Sequence, residues 1–431
     1  MTTVFTRARE AWEACADIRT MRRRLKGYTY GRQWADKCID RNGMTTTDEE
    51  YARRCGRRPV TNNLIRSLVK SVVGRFRQSL IAGRDSDPDS PVSRLTRANR
   101  LEELDARALE EFLISGCAIQ KVSYERRFEG AQVWVDNVNP DRFFCNRYLD
   151  PRGSDIRLIG MLHEMSLAEM KMRFGHSSRR RVRDIMQIYS RAVASRPDIA
   201  RVAASLGTGG SEVSFATSSD PQLCRVVEVW TFDSDSRTGG AWHGRYFAPD
   251  GTLIDETVSP YVHGSHPFVV NLYPLTDGEV HPFIEDVVDQ QKHINQLISV
   301  IDQILSHSAK GALLFPHDAL MPGISLENVI DFWSRPGAVI PVNPKASHMP
   351  VEITAPGHSE GASRLLDIEM KMFQQISGVS TALQGQNIGG NMSASLYESQ
   401  AHNSAIALLD IFETFNSFRA ARDEKAFATV D

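Results

Sequence analysis

From position 282 onward the spacing of apolar residues commits the chain to a long helix, and everything around it must accommodate that rod. Apolar side chains fall at 284, 287, 288, 294, 298, 301 and 305, close to a 3.5-residue period, with Gln291 standing on the same face. Asp286, Asp289, Gln290, His293, Gln296, Gln303 and His307 take the other side. The pattern predicts a helix of about 25 residues, where globular helices average ~11–12. A small strand-rich insert follows, then a second helix over 360–377, a polar loop, and a third helix reaching Lys425. The loop at 383–392 reads Leu-Gln-Gly-Gln-Asn-Ile-Gly-Gly-Asn-Met, too polar and glycine-rich to pack into a core.

Upstream, residues 5–26 are helix-compatible, and Trp34 and Tyr51 lie in a loop-like region ending at Arg57-Arg58-Pro59-Val60-Thr61-Asn62-Asn63. Asn62 or Asn63 can cap a helix whose apolar positions 64, 65, 68, 69, 72, 73 and 76 make one broad face. Another helix is expected over 95–115, ending at Gly116. Alternation then predicts strands at 118–124, 131–135, 142–144 and 158–164, a short helix over 167–174, an Arg-rich helix over 179–201 and a loop over 202–221. Strands return at 225–232, 242–247, 252–254 and 267–273. Helices, then strands, then helices predict an α+β fold and not a βαβ repeat.

A chain of 431 residues has room for two to four domains or lobes. It offers no run of roughly 18 uninterrupted apolar residues, so no transmembrane helix is expected, and its first residues lack a signal-peptide apolar core. Six scattered cysteines, with no Cys-x-x-Cys pair, read as reduced structural thiols. Residues 1–80 hold 18 Lys and Arg against 8 Asp and Glu, although the whole chain carries −2. Such a basic segment suits nucleic-acid contact or contact between oppositely charged subunit surfaces, and no base-reading motif accompanies it.

One catalytic pattern is present in name. Gly357-His358-Ser359-Glu360-Gly361 fits a G-x-S-x-G nucleophile elbow, with Asp367 and His402 in the required order. The alternating strands and helices such a hydrolase needs are not visible upstream, and Ser359 reads more simply as a helix N-cap. The glycine clusters at 207–210 and 385–390 lack the Lys-Ser/Thr of a phosphate loop. His263 and His266 precede a proline and read as a turn. No cofactor or metal site is expected.

The chain resembles the portal proteins of tailed bacteriophages. The resemblance rests on Arg57 to Ile65 before a helix, on His281-Pro282-Phe283-Ile284-Glu285-Asp286-Val287-Val288-Asp289-Gln290-Gln291-Lys292-His293-Ile294-Asn295-Gln296, and on Ile376-Ser377-Gly378-Val379-Ser380-Thr381-Ala382-Leu383-Gln384-Gly385. It implies a ring, usually of about twelve subunits, at one capsid vertex of the virion, assembled in the host cytoplasm. It further implies a mixed α/β wing over 1–281, a stem helix over 282–308, a clip over 309–355 and a second stem helix over 356–378. A tunnel loop would then occupy 379–392, and a tunnel helix with C-terminal tail 393–431. The sequence given stops at Asp431, so a crown is expected to be minimal, missing or truncated.

By the same resemblance, Gln384, Gly385, Gln386, Asn387, Gly389, Gly390 and Asn391 would line the channel, and Arg57 and Arg58 would make assembly contacts. The partners implied are further copies of the chain, double-stranded DNA without sequence preference, the terminase large subunit, a head–tail connector or adaptor, and the major capsid and scaffolding proteins. No membrane and no enzymatic role are implied. A capsid or tail adaptor that never encloses DNA is the alternative, with a serine hydrolase on Ser359 behind it.

Overall fold

The computed structural model describes residues 3–83, 87, 89–127, 130–175, 178–194, 213–218, 220, 222–234, 240–308, 312–321, 323–334, 340–353, 360–379 and 406–429. The chain divides into two compact units. The first comprises Met1–Arg32, Asn63–Val288 and Gln374–Asp431; the second comprises Gln33–Asn62 and Asp289–Phe373. Helices combined with antiparallel sheets agree with the expected α+β class.

The first unit is built on a five-stranded antiparallel meander of Phe143–Cys145, Leu158–Met165, Cys224–Asp233, Ala241–Phe247 and Leu253–Val258, in that order. Residues 224–231 of the middle strand are all buried, which requires cover on both faces. One face presents Phe144, Leu158, Leu162, Val227, Val229 and Phe247 to Phe5, Ala8 and Trp12 of the N-terminal helix Val4–Ala14. The other presents Ile159 and Trp230 to Cys117, Ile119 and Phe268 of a second sheet, ordered Phe268–Leu272, Cys117–Arg127, Gly130–Asn137. Along that same face, helices Leu167–Phe174 and Arg179–Ala194 cover Val226, Tyr246 and Ile254. The Trp230 ring sits 2.8 Å from where a Cβ at position 244 would stand, so that position takes glycine.

Between these apolar patches lies a buried ionic cluster. Glu228, fully buried, takes two bonds from the Lys121 ammonium at 2.9 and 2.7 Å, one from Trp230 Nε1 at 2.8 Å, and pairs with His163 Nε2 at 2.5 Å. Burial pushes the Glu228 carboxyl up, but Lys121, His163 and Arg173 outweigh it and hold the group well below the usual carboxylate range. Burial also lowers His163 from its ordinary value, against the pull of Glu228.

Several local expectations are refined by tertiary contacts. The N-terminal helix is two, Val4–Ala14 and Ala16–Thr29, parted at Cys15. The helix at 64 runs on to Ala82. The helix expected over 95–115 is broken into Pro91–Asn99 and Leu101–Ser115 by Arg100 in the left-handed region, φ 52°. The buried Asn99 explains the break. Its amide donates to Val133 O at 3.1 Å and accepts from Val135 N at 2.9 Å, completing the edge of a strand. The short helix Leu167–Phe174 opens, as expected, at Ser166, with Glu169 closing a capping box.

In the second unit, the loop-like region around Trp34 and Tyr51 is instead a hairpin of Lys37–Ile39 with Thr45–Thr47, followed by helix Asp48–Arg54. Three-residue strands are too short to show a period, and Thr47 caps the helix through Glu50 N at 3.2 Å. The long helix is α-helical over Val288–Ser308, and Phe283–Val287 before it form a tighter 3₁₀ turn. Ile284 and Val287 are both buried, and an i, i+3 pair eclipses in that geometry. Strand Ala312–Leu314 pairs with Val351–Ile353, and helix Leu326–Ser334 lies between them in sequence. The helix Glu360–Ser377 matches its expected bounds.

Candidate functional site

The seven residues expected to line a channel, Gln384, Gly385, Gln386, Asn387, Gly389, Gly390 and Asn391, lie outside the described residues, as do Ser359, His402 and the loop residues 202–212. What the structure describes is the base from which the segment springs. Helix Glu360–Ser377 ends at Gly378, whose φ of 66° is the left-handed stop a helix C-terminus favours. A Cβ on Gly378 would stand 2.8 Å from the Ala407 side chain, so the chain leaves and returns at one place. Val379, next along, is buried, and its N–H donates to Ser377 Oγ at 3.3 Å.

The returning helix, Leu409–Phe427, is clamped within the first unit by aromatic and ionic contacts. Phe415 meets Phe76 and Phe112 at 5.4 and 5.7 Å between ring centroids. The buried Asp105 carboxylate accepts from Arg422 Nη1 at 2.8 Å and from Arg419 Nε at 2.8 Å. Burial works against the Arg422 charge, but Asp105 and Asp423 outweigh it and keep the guanidinium protonated. Lys425 Nζ donates to the carbonyls of His266 and Phe268 at 2.7 and 2.8 Å, and burial pulls its ammonium down to about 8. Burial and the Lys425 charge likewise pull His263 down to about 4. The two histidines do sit in the turn-bearing stretch between strands.

Arg57 and Arg58 belong to the second unit, whereas the ends of the 378–407 excursion belong to the first. Arg57 is half-buried and Arg58 exposed. The extended segment carrying them is strapped to the long helix by a polar ladder that sequence reasoning missed. Gln291 Nε2 donates to Asn62 O at 2.7 Å, Asn62 N donates to Asn295 Oδ1 at 3.0 Å, and Val60 N donates to Ser299 Oγ at 3.3 Å. Gln303 Nε2 reaches Cys55 O at 3.4 Å, and Asn295 Nδ2 donates to Gln33 Oε1 at 2.6 Å. Residues 291, 295, 299 and 303 follow an i, i+4 row. The available signal was Gln291, a polar group on an otherwise apolar face.

Replacing Asn295 with alanine removes the acceptor of the Asn62 N–H and the donor to Gln33 Oε1, at about 1 kcal/mol for each hydrogen bond lost. Faster limited cleavage by trypsin after Arg57 is the expected result; a parental cleavage rate would show that the ladder does not hold the segment.

Among the described residues no group of His, Cys, Asp and Glu is arranged to hold a metal ion, and no described helix is long and apolar enough to cross a membrane. No curated protein matches the chain. A family model described as phage P22-like portal protein matches residues 5–426. The chain belongs to that family, and its place is accordingly the portal vertex of a phage capsid.

Proposed function

We propose that copies of this portal-family chain close into a ring, of about twelve subunits by the family resemblance, whose central channel passes DNA during packaging and ejection. In this reading 282–308 and 356–378 form the stem, 309–355 the clip that receives the terminase large subunit and later the head–tail connector, and 379–392 the tunnel loop. The observation that carries it is the family match over nearly the whole chain. The base of the loop supports it: an excursion that starts and ends at Gly378 and Ala407, backed by a helix anchored through Asp105, can reach into a channel without loosening the subunit. The role is structural and not catalytic.

Negative-stain images of the purified chain test the reading, and rings with a hole wide enough for duplex DNA are expected. A chain that stays monomeric at high concentration would count against it. Within the same experiment, alanine at both Arg57 and Arg58 is expected to reduce ring yield, because these arginines are assigned to subunit or capsid contacts. Unchanged assembly would remove them from that role.

A further inference from the structure

The Arg-rich helix Arg179–Ala194 has no part in the channel reading, yet its two sides are sharply different. Its apolar side is satisfied: Ile185 is buried, and Ile188, Tyr189 and Ala192 pack beside Met170, Phe174 and Val226. Arg181 is tied down by Asp255 at 3.1 Å. At 100° per residue, Arg179, Arg180, Arg183, Gln187, Ser190 and Arg191 fall within about 120° of the opposite side. All six are exposed. Among the described residues, none of these four arginines has a carboxylate partner.

Several exposed arginines on other helices are neutralised locally. Arg53 sits on Glu49, Arg77 and Arg107 share Glu103, and Arg364 sits on Glu360. The Arg179–Ala194 helix carries a single acid, Asp184, at the margin of the basic face. Over 179–201 the chain holds seven arginines, no lysine and two aspartates. Guanidinium groups suit phosphate better than ammonium groups do, because the planar fork can donate two parallel bonds.

We propose that this face binds the phosphate backbone of duplex DNA outside the channel, without reading sequence. Arg179 and Arg191 are separated by about 18 Å along the helix axis, a length over which duplex DNA presents about ten phosphates. Gln187 and Ser190, set among the arginines, add neutral donors of the kind that bond phosphate oxygens. An acidic protein partner fits less well, because protein interfaces concentrate their energy in buried aromatic or aliphatic anchors. The exposed apolar residue here, Met186, lies at the edge of the face. The assignment goes beyond the channel reading and does not depend on ring formation.

The test uses the full chain and a short fluorescein-labelled duplex of random sequence, with anisotropy titrations at several salt concentrations. Glutamine at Arg179, Arg180, Arg183 and Arg191 together is expected to flatten the dependence of log affinity on log salt by about 3–4 units, at about 0.9 for each phosphate no longer neutralised. Lysine at the same four positions is expected to keep most of that slope, because charge is retained. The proposal is overturned if the glutamine variant keeps the parental slope, or if the parent does not bind the duplex at low salt. It is equally overturned, in favour of a protein partner, if the parent binds poly-L-glutamate as tightly as DNA.

Discussion

Alanine in place of Glu228 is expected to destabilise the sheet-bearing unit by about 3–5 kcal/mol, the cost of leaving a buried charge without its partner. The charge left behind is Lys121, whose ammonium is nearly as buried as the carboxylate it serves. Trp230 Nε1 and His163 would lose their acceptor as well. Hydrogen exchange at the amides of Cys224–Asp233 reads the loss where it occurs, which matters because a chain of two units need not unfold in one step. Removing both charges, with Glu228→Gln and Lys121→Met together, is expected to recover much of the stability, since a buried pair replaced by neutral groups costs far less than a broken one. A single-alanine effect under about 1 kcal/mol would contradict the uncompensated-charge argument.

The same carboxylate gives a pH dependence of definite sign. Its folded-state pKa is depressed, so its stabilisation is present above the unfolded value of about 4.3 and is lost as pH falls below that value toward the folded one. Parent and alanine variant should therefore converge in stability on acidification. A gap that stays constant down through that window would show that ionised Glu228 is not what stabilises the sheet.

The second large effect concerns the loop. Deleting 384–391 is expected to leave ring assembly intact and to reduce DNA packaging or retention to a small fraction of the parental level. The segment carries no charge, and that is what a sliding contact requires. Each firm Lys or Arg contact to phosphate would add a salt-dependent affinity that retards movement, whereas amides offer weak, exchangeable bonds. Gly385, Gly389 and Gly390 let the segment change conformation at little steric cost. Because Gly378 and Ala407 are already in contact, a shortened excursion can still close on its base. Normal packaging by the deletion would sink the loop assignment while leaving the family unaffected.

Local patterns were legible wherever one face of an element meets one kind of environment. Strand Leu158–Met165 and helices Leu167–Phe174 and Glu360–Ser377 were readable within a residue at each end. Their signals, alternation, a 3.6-residue period and a capping serine, lie in neighbouring residues. The order of these elements, with the motifs around Asn62, Pro282 and Gly378, was enough to suggest the portal family. The hairpin at 37–47 and the break at Arg100 were not legible. The first is too short to have a period, and the second exists because Asn99 completes a strand edge more than thirty positions away in the chain.

The sequence by itself determined most of the longer elements, the α+β class and the family resemblance, because each depends on what a residue prefers among its neighbours in the chain. Only the tertiary structure decided which polar groups are interior: Glu228 with Lys121, Asp105 with Arg422, and the Gln291–Asn295–Ser299 row holding the 57–62 segment. A charge or amide becomes tolerable in a core only when its partner is delivered there. Those partners come from 107, 317 and more than 200 positions away, a separation that no local periodicity records.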